Sequence, residues 1–223
     1  MAKYKDKKQK IDTEEPIIRK PLVAKTAAQK RYLAHLRSNI ITFAVGPAGT
    51  GKTYVAMAFA AEMLANGEID SIIVTRPGVE AGRDWGALPG ELSEKFAPFM
   101  EPIERVLEER LGKGNVGGLK KAGRIQFKPL EFMRGMTFSR CFYLLDEAQN
   151  TTPEQMKLFL TRIGEDCKVV IDGDLAQKDI RGKSGLSDAV ERFGKSDYMG
   201  VAEFNVDDCV RSGIALEILK GYA

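Results

Sequence analysis

The sequence predicts a three-layer α/β domain built around a mainly parallel central sheet. Three observations carry that expectation: short runs that are apolar on both faces, helix-like segments alternating with them, and turn residues at the joins. Strands without a polar face are buried on both sides, as in a parallel sheet covered by helices. Parallel neighbours need crossover connections, and these are expected to be right-handed.

Four segments read clearly as strands: "IITFAV" (40–45), "SIIVT" (71–75), "CFYLLD" (141–146) and "KVVID" (168–172). "GRIQFKPL" (123–130) and "GVAEF" (200–204) are weaker candidates. Between them, Lys52 to Ala65 is rich in Ala, Met and Leu and closes with Asn66-Gly67, a C-terminal cap signal. "TPEQMKLFLTRI" (152–163) opens with a Thr N-cap, Pro at the first turn and nearby acid. Glu91 to Leu111 spaces Leu92, Phe96, Phe99, Ile103 and Leu107 at three and four residues, so it reads as a helix that Pro98 and Pro102 kink or split. Gly112, Gly114, Gly117 and Gly118 then read as a flexible loop.

The 223 residues are enough for one well-buried domain, expected over 23–223, behind a basic and flexible tail over 1–22. The first ten residues carry +4 of the net +3, leaving the body at −1. Such a tail can touch nucleic acid electrostatically, although short lysine blocks are more often simply solvated. No apolar run reaches bilayer length and the start is not a signal peptide, so the expected location is cytoplasmic. Cys141, Cys167 and Cys209 show no pairing or metal spacing; Cys141 reads as core, and the lone His35 as a helix surface residue.

The first strand runs into Gly46-Pro47-Ala48-Gly49-Thr50-Gly51-Lys52-Thr53, which fits G-x-x-x-x-G-K-[ST]. Phosphate oxygens need donors approaching from several directions. Glycines let bare N–H groups turn inward, and the following helix adds its N-terminal dipole. Lys52 would reach the β- and γ-phosphates, and Thr53 would offer its hydroxyl to Mg²⁺. Tyr54 follows directly, as a further nucleotide contact or a core anchor.

Hydrolysis needs a metal holder and a base as well. "CFYLLDEAQN" supplies both at a strand end: Asp146 for Mg²⁺ and Glu147 as general base toward water. Beyond the strand "VVID", Gln177 falls on the side where open α/β sheets bind ligands, placed to sense the γ-phosphate and the lytic water. Asp172 and Asp174 are explained equally well by the turn chemistry of Asp-Gly.

Together "VGPAGTGKTY", "TRPGVEAG", "LPGELSEKFAPF", "EFMRGMTF", "LLDEAQNTT", "EQMKLFLTRIG" and "DGDLAQKD" resemble the PhoH family of P-loop ATPases, from about Thr26 to the C-terminus. That family is similar to the first motor domain of superfamily-one helicases, so the resemblance implies one RecA-like P-loop NTPase domain using ATP and Mg²⁺. It implies that Gln29 recognises adenine, an exposed helix glutamine being the alternative. It also implies that Thr75, Arg76 and Pro77 contact a nucleic-acid backbone, and that Arg211 stabilises charge on the γ-phosphoryl group. A one-domain protein would complete its sites from neighbouring subunits, hence an expected homo-oligomer, a hexameric ring with Arg211 or Arg162 acting in trans.

The leading functional expectation is an Mg²⁺-dependent ATPase stimulated by single-stranded RNA or DNA. An ATP-gated assembly switch with slow hydrolysis is the alternative. A small-molecule kinase is disfavoured, since Asp146-Glu147 and Gln177 favour water as acceptor and no arginine-rich lid appears. No carboxylate cluster outside this site supports nuclease chemistry. Tyr54 and Trp85 are the available stacking aromatics, both better read as anchors, so unwinding is not implied by the residues themselves.

Overall fold

A computed structural model describes residues 21–78, 92–210 and 213–222. Most of the basic tail, Trp85 and Arg211 lie outside the described residues, as does most of the segment linking "TRPG" to "LPG".

Among the described residues six strands form one parallel sheet: β1 (Ile41–Val45), β2 (Ser71–Arg76), β3 (Ile125–Pro129), β4 (Cys141–Leu145), β5 (Lys168–Gly173) and β6 (Met199–Glu203), in the order β3-β2-β4-β5-β1-β6. Both weak strand candidates are thus true strands at the two edges. Side chains alternate across the sheet with period two. On one face Ala44, Val74, Phe142, Leu144 and Val170 pack under α1 (Ala27–Ser38), α2 (Lys52–Asn66), α3 (Leu92–Leu111) and α4 (Lys113–Lys121). On the other, Phe43, Ile73, Tyr143, Leu145 and Ile171 pack under α5 (Pro153–Leu160) and α6 (Gly185–Phe193). The last helix, α7 (Gly213–Tyr222), follows β6.

Local capping agrees with the sequence. Gly67 ends α2 in the left-handed region at φ 72, its N–H on the carbonyls of Met63 and Leu64. Thr152 and Gln155 form a reciprocal capping box on α5, which stops at Leu160, three residues earlier than the pattern predicts.

Two expectations are corrected. The prolines do not split α3: it is one helix of 20 residues. Pro98 and Pro102 are both exposed and four apart, so the hydrogen bonds they delete fall on one solvent-facing side, while Met100, Ile103, Leu107 and Leu111 fix the other in the core. The glycine-rich stretch is not a loop but helix α4. Gly112 provides the bend at φ 86, and burial of Val116 and Leu119 outweighs the poor helix propensity of Gly114, Gly117 and Gly118.

His35 is half-buried rather than a plain surface residue: its ring lies against Gly200 of β6 and its Nδ1 faces Asn39 Nδ2 at 3.2 Å. Cys141 is core, as expected, yet its sulfur lies 3.5 Å from Cys167 Sγ, a proximity that the 26-residue separation concealed.

Candidate active site

The strand order sets the site. β1 carries the glycine loop, β4 ends at Asp146-Glu147, and β5 lies between them. The ends of all three strands therefore open into one cavity of about 590 Å³, at the edge where α/β sheets bind ligands.

The loop is built from backbone necessity. Gly46 sits at φ 144, and a Cβ there would strike the carbonyl oxygen of Phe204, beyond β6. Gly51 caps α2 at φ 83, and a Cβ there would come within 2.7 Å of Gln29 Nε2. Only glycine fits both places. Behind the loop, Thr50 is fully buried and donates its hydroxyl to Pro47 O at 2.9 Å. Ala48, Gly49, Gly51, Lys52, Thr53 and Tyr54 face the cavity, whereas Gly46, Pro47 and Thr50 shape the loop without lining it. Lys52 Nζ donates to Gly46 O at 2.8 Å and Pro47 O at 2.9 Å.

Gln29 is 3% exposed, which removes the surface-glutamine reading. Its Oε1 accepts from Lys25 N at 2.8 Å and its Nε2 donates to Thr50 O at 2.9 Å, tying α1 to the loop. It lines the cavity beside an apolar flank that includes Val23, Phe99, Val106 and Val210. Tyr54 reaches across to α3, its hydroxyl donating to Glu109 at 3.1 Å.

Asp146 follows β4 and is held to β2 by its N–H on Thr75 O at 2.9 Å. Burial pushes its carboxyl up, against the opposing pull of the Arg76 guanidinium. Glu147 adopts the left-handed backbone region at φ 53, uncommon for a residue with a Cβ. That bend aims its carboxylate at two partners: Oε1 accepts from Arg76 at 2.7 Å and Oε2 from Gln149 Nε2 at 2.5 Å. Gln177 is exposed on the cavity rim, and its Nε2 donates to Asp174 Oδ2 at 2.8 Å.

Three residues in the site were not legible as members of the nucleotide site, although the resemblance gives one of them, Arg76, a nucleic-acid role. Asp172 is the first, and here the turn reading is corrected. It belongs to β5, is 1% exposed, accepts from Thr53 Oγ1 at 2.8 Å and lies close to the Asp146 carboxyl. Burial, then the Asp146 charge, pushes its carboxyl well above the usual range. Asp174 does serve the turn, accepting from Ala176 N at 3.0 Å. Arg76 is the second: its Nε lies 3.6 Å from Asp146, and with Glu147 it forms an ion-paired triad under Phe99. Thr75 and Pro77 beside it are buried, and Arg76 turns toward these carboxylates. Gln149 is the third, 1% exposed and joining Glu147 to Asp174 N at 3.1 Å. Only the contiguous "DEAQ" hinted at it.

Arg162 does not line the cavity; its carbonyl accepts from Phe138 N at 3.0 Å and its buried Nε has no hydrogen-bond partner among the described residues. Arg211 lies outside the described residues, but Val210 before it donates its N–H to Gly49 O at 3.0 Å. The donors near the loop are oxygens, Thr53 hydroxyl and two buried carboxylates, a set that fits a hard divalent cation such as Mg²⁺.

A glycine loop between a strand and a helix, with a strand-end Asp-Glu two strands away, defines a RecA-like P-loop NTPase. The chain belongs to the PhoH-like family, whose pattern matches residues 21–223. It is 44% identical over 207 residues to Protein PhoH of Escherichia coli strain K12, covering 91% of this chain and 58% of that one. It is 46% identical over 206 residues to a PhoH-like protein of Mycobacterium tuberculosis strain H37Rv, covering 92% and 58%. A PhoH-like protein of Bacillus subtilis strain 168 is 44% identical over 205 residues, covering 91% and 64%. The chain thus spans about three fifths of the length of these relatives. No helix among the described residues is long and apolar enough to cross a membrane.

Proposed function

We propose that this PhoH-type P-loop protein hydrolyses ATP in an Mg²⁺-dependent reaction stimulated by single-stranded RNA or DNA. The observation that carries the reading is convergence: Lys52, Thr53, Asp146, Glu147 and Gln177, from three strand ends, face one cavity. Loop N–H groups and Lys52 would bind the phosphates, Lys52 leaving the Gly46 and Pro47 carbonyls to do so. Thr53 and Asp146 would hold Mg²⁺, which when bound neutralises charge on the phosphate oxygens. Glu147 would accept the proton of the attacking water, and Gln177 would orient that water against the γ-phosphate. The apolar flank beside Gln29 suits a flat base, and adenine fits the amide of Gln29 once it is released from the loop.

Both Glu147 oxygens are engaged, by Arg76 and Gln149, so turnover in the isolated chain is expected to be slow. This favours a site that an activator or a neighbouring subunit completes. Assembly as a homo-oligomeric ring, with Arg211 or Arg162 acting across the interface, is part of the proposal. The same engagement supports the second reading, an ATP-gated assembly switch whose hydrolysis merely resets it.

The test is steady-state phosphate release with Mg²⁺ or chelator, with and without single-stranded RNA and DNA, across protein concentrations. Turnover abolished by Lys52→Ala and raised by nucleic acid is the expected result. Activity rising more than linearly with protein would locate the missing group in a neighbour. A nucleotide-dependent change of mass with negligible turnover would put the switch in its place.

A further inference from the structure

We propose that Asp172 is a further ligand of the divalent cation, and that Thr53, Asp146 and Asp172 together hold a Mg²⁺- or Mn²⁺-type ion before nucleotide arrives. The inference rests on reading the cavity as a nucleotide site and gives Asp172 a role that the motifs leave open.

Topology places the residue. β5 lies between β1 and β4, with Asp172 paired to Ala44 and its neighbour Ile171 paired to Leu145. Its side chain therefore falls between the glycine loop and Asp146, and both Asp172 and Thr53 line the cavity.

Its contacts give it no other duty. Asp174, two residues on, caps a turn and receives Gln177. Among the described residues Asp172 caps nothing: it accepts from the Thr53 hydroxyl and has the Asp146 carboxyl close by. Among the described residues no ion pair reaches it: Arg76 is paired with Asp146 and Glu147, and the Lys52 ammonium, held by the Gly46 and Pro47 carbonyls, acts on it only through its field. A buried acid facing a second buried acid is costly, and an uncharged side chain would keep every strand hydrogen bond intact. The arrangement becomes favourable when a cation sits between the two.

The donor set names the class of ion. Two carboxylates and a hydroxyl, with no sulfur or imidazole, select hard divalent cations. With a single carboxylate, Mg²⁺ affinity leans on substrate phosphates; a second anionic ligand raises affinity through charge count.

The test is Mn²⁺ titration of the metal-free chain without nucleotide, read as loss of the aqueous Mn²⁺ paramagnetic resonance signal. One ion per chain is expected to bind, at least tenfold more weakly in Asp172→Asn and Asp146→Asn and unchanged in the remote Asp188→Asn. In parallel melts Mn²⁺ should raise the wild-type melting temperature but not that of Asp172→Asn, whose metal-free melt should be no lower than wild type. Asp172→Ser gives the same comparison if the amide variant does not fold. Equal Mn²⁺ affinity in wild type and Asp172→Asn overturns the proposal, as does binding that begins only once ATP is added. ATP hydrolysis with Mn²⁺ binding indifferent to Asp172 would leave the proposed function standing without this inference. Asp172-dependent Mn²⁺ binding in a chain that neither binds nor hydrolyses ATP would do the reverse.

Discussion

β4 and β5 run side by side through the core, and their two ends could hardly differ more. At the start of the pair, Cys141 and Cys167 meet sulfur to sulfur, the hydrogen bond between them and then burial holding Cys141 in its thiol form. At the finish, Asp146, Glu147 and Asp172 bring three acidic groups together against Arg76 and Thr53. The residues between, Leu144, Leu145, Val170 and Ile171, are equally buried throughout. A sheet core therefore tolerates either kind of end, but only one gathers more buried acids than its arginine pairs with. That surplus marks where a ligand is expected to act.

Four variants break or sharpen the contrast. Glu147→Gln at the acidic end should reduce ATP turnover by about 10²–10⁴-fold while leaving nucleotide binding intact. Hydrolysis at the wild-type rate would strip the acidic end of its assigned base. Arg76→Gln removes the cation between two carboxylates and should cost about 2–4 kcal/mol in denaturant unfolding, partly restored by Mg²⁺. A loss no larger than that from the thiol end would mean the acids balance themselves without Arg76. Cys141→Ala at the thiol end should cost about 1 kcal/mol through the space it leaves, with ATP turnover unchanged. Altered turnover there would show the two ends to be coupled through the strands. Gly117→Ala, on α4 away from both ends and with open space around its Cβ, should add about 0.5–1 kcal/mol and alter no site property. If it changed turnover, stability and chemistry would not be separable in this fold.

The same contrast explains what could be read before the structure. The glycine loop with Lys52 and Thr53 is one contiguous run and Asp146-Glu147 is another, and the geometry of each follows from the strand it ends and the turn after it. Asp172 was legible as a strand end but not as a site residue, because its meaning depends on β5 lying between β1 and β4, a fact of strand order that no local pattern encodes. Arg76 needed the same knowledge, since β2 must neighbour β4 before it can reach Glu147. Gln149 needed the left-handed bend at Glu147 that turns the chain back toward β5. The α4 helix escaped notice for a different reason: its glycines speak for a loop, and burial of Val116 and Leu119 overrules them. The thiol pair escaped because two cysteines on neighbouring strands carry no spacing rule.

The chain after β6 closes the back of the glycine loop. The Phe204 carbonyl packs where a Cβ of Gly46 would stand, the Phe204 ring meets Tyr32 edge to face at 5.6 Å, and Val210 N–H caps Gly49 O. Proteins are made from the N-terminus onward, and domains acquire structure as they emerge. The phosphate loop is synthesised before the wall that fixes its shape, which is more than 150 residues downstream in the numbering. A nascent chain paused before residue 204 would carry the whole loop sequence without the wall that closes its back.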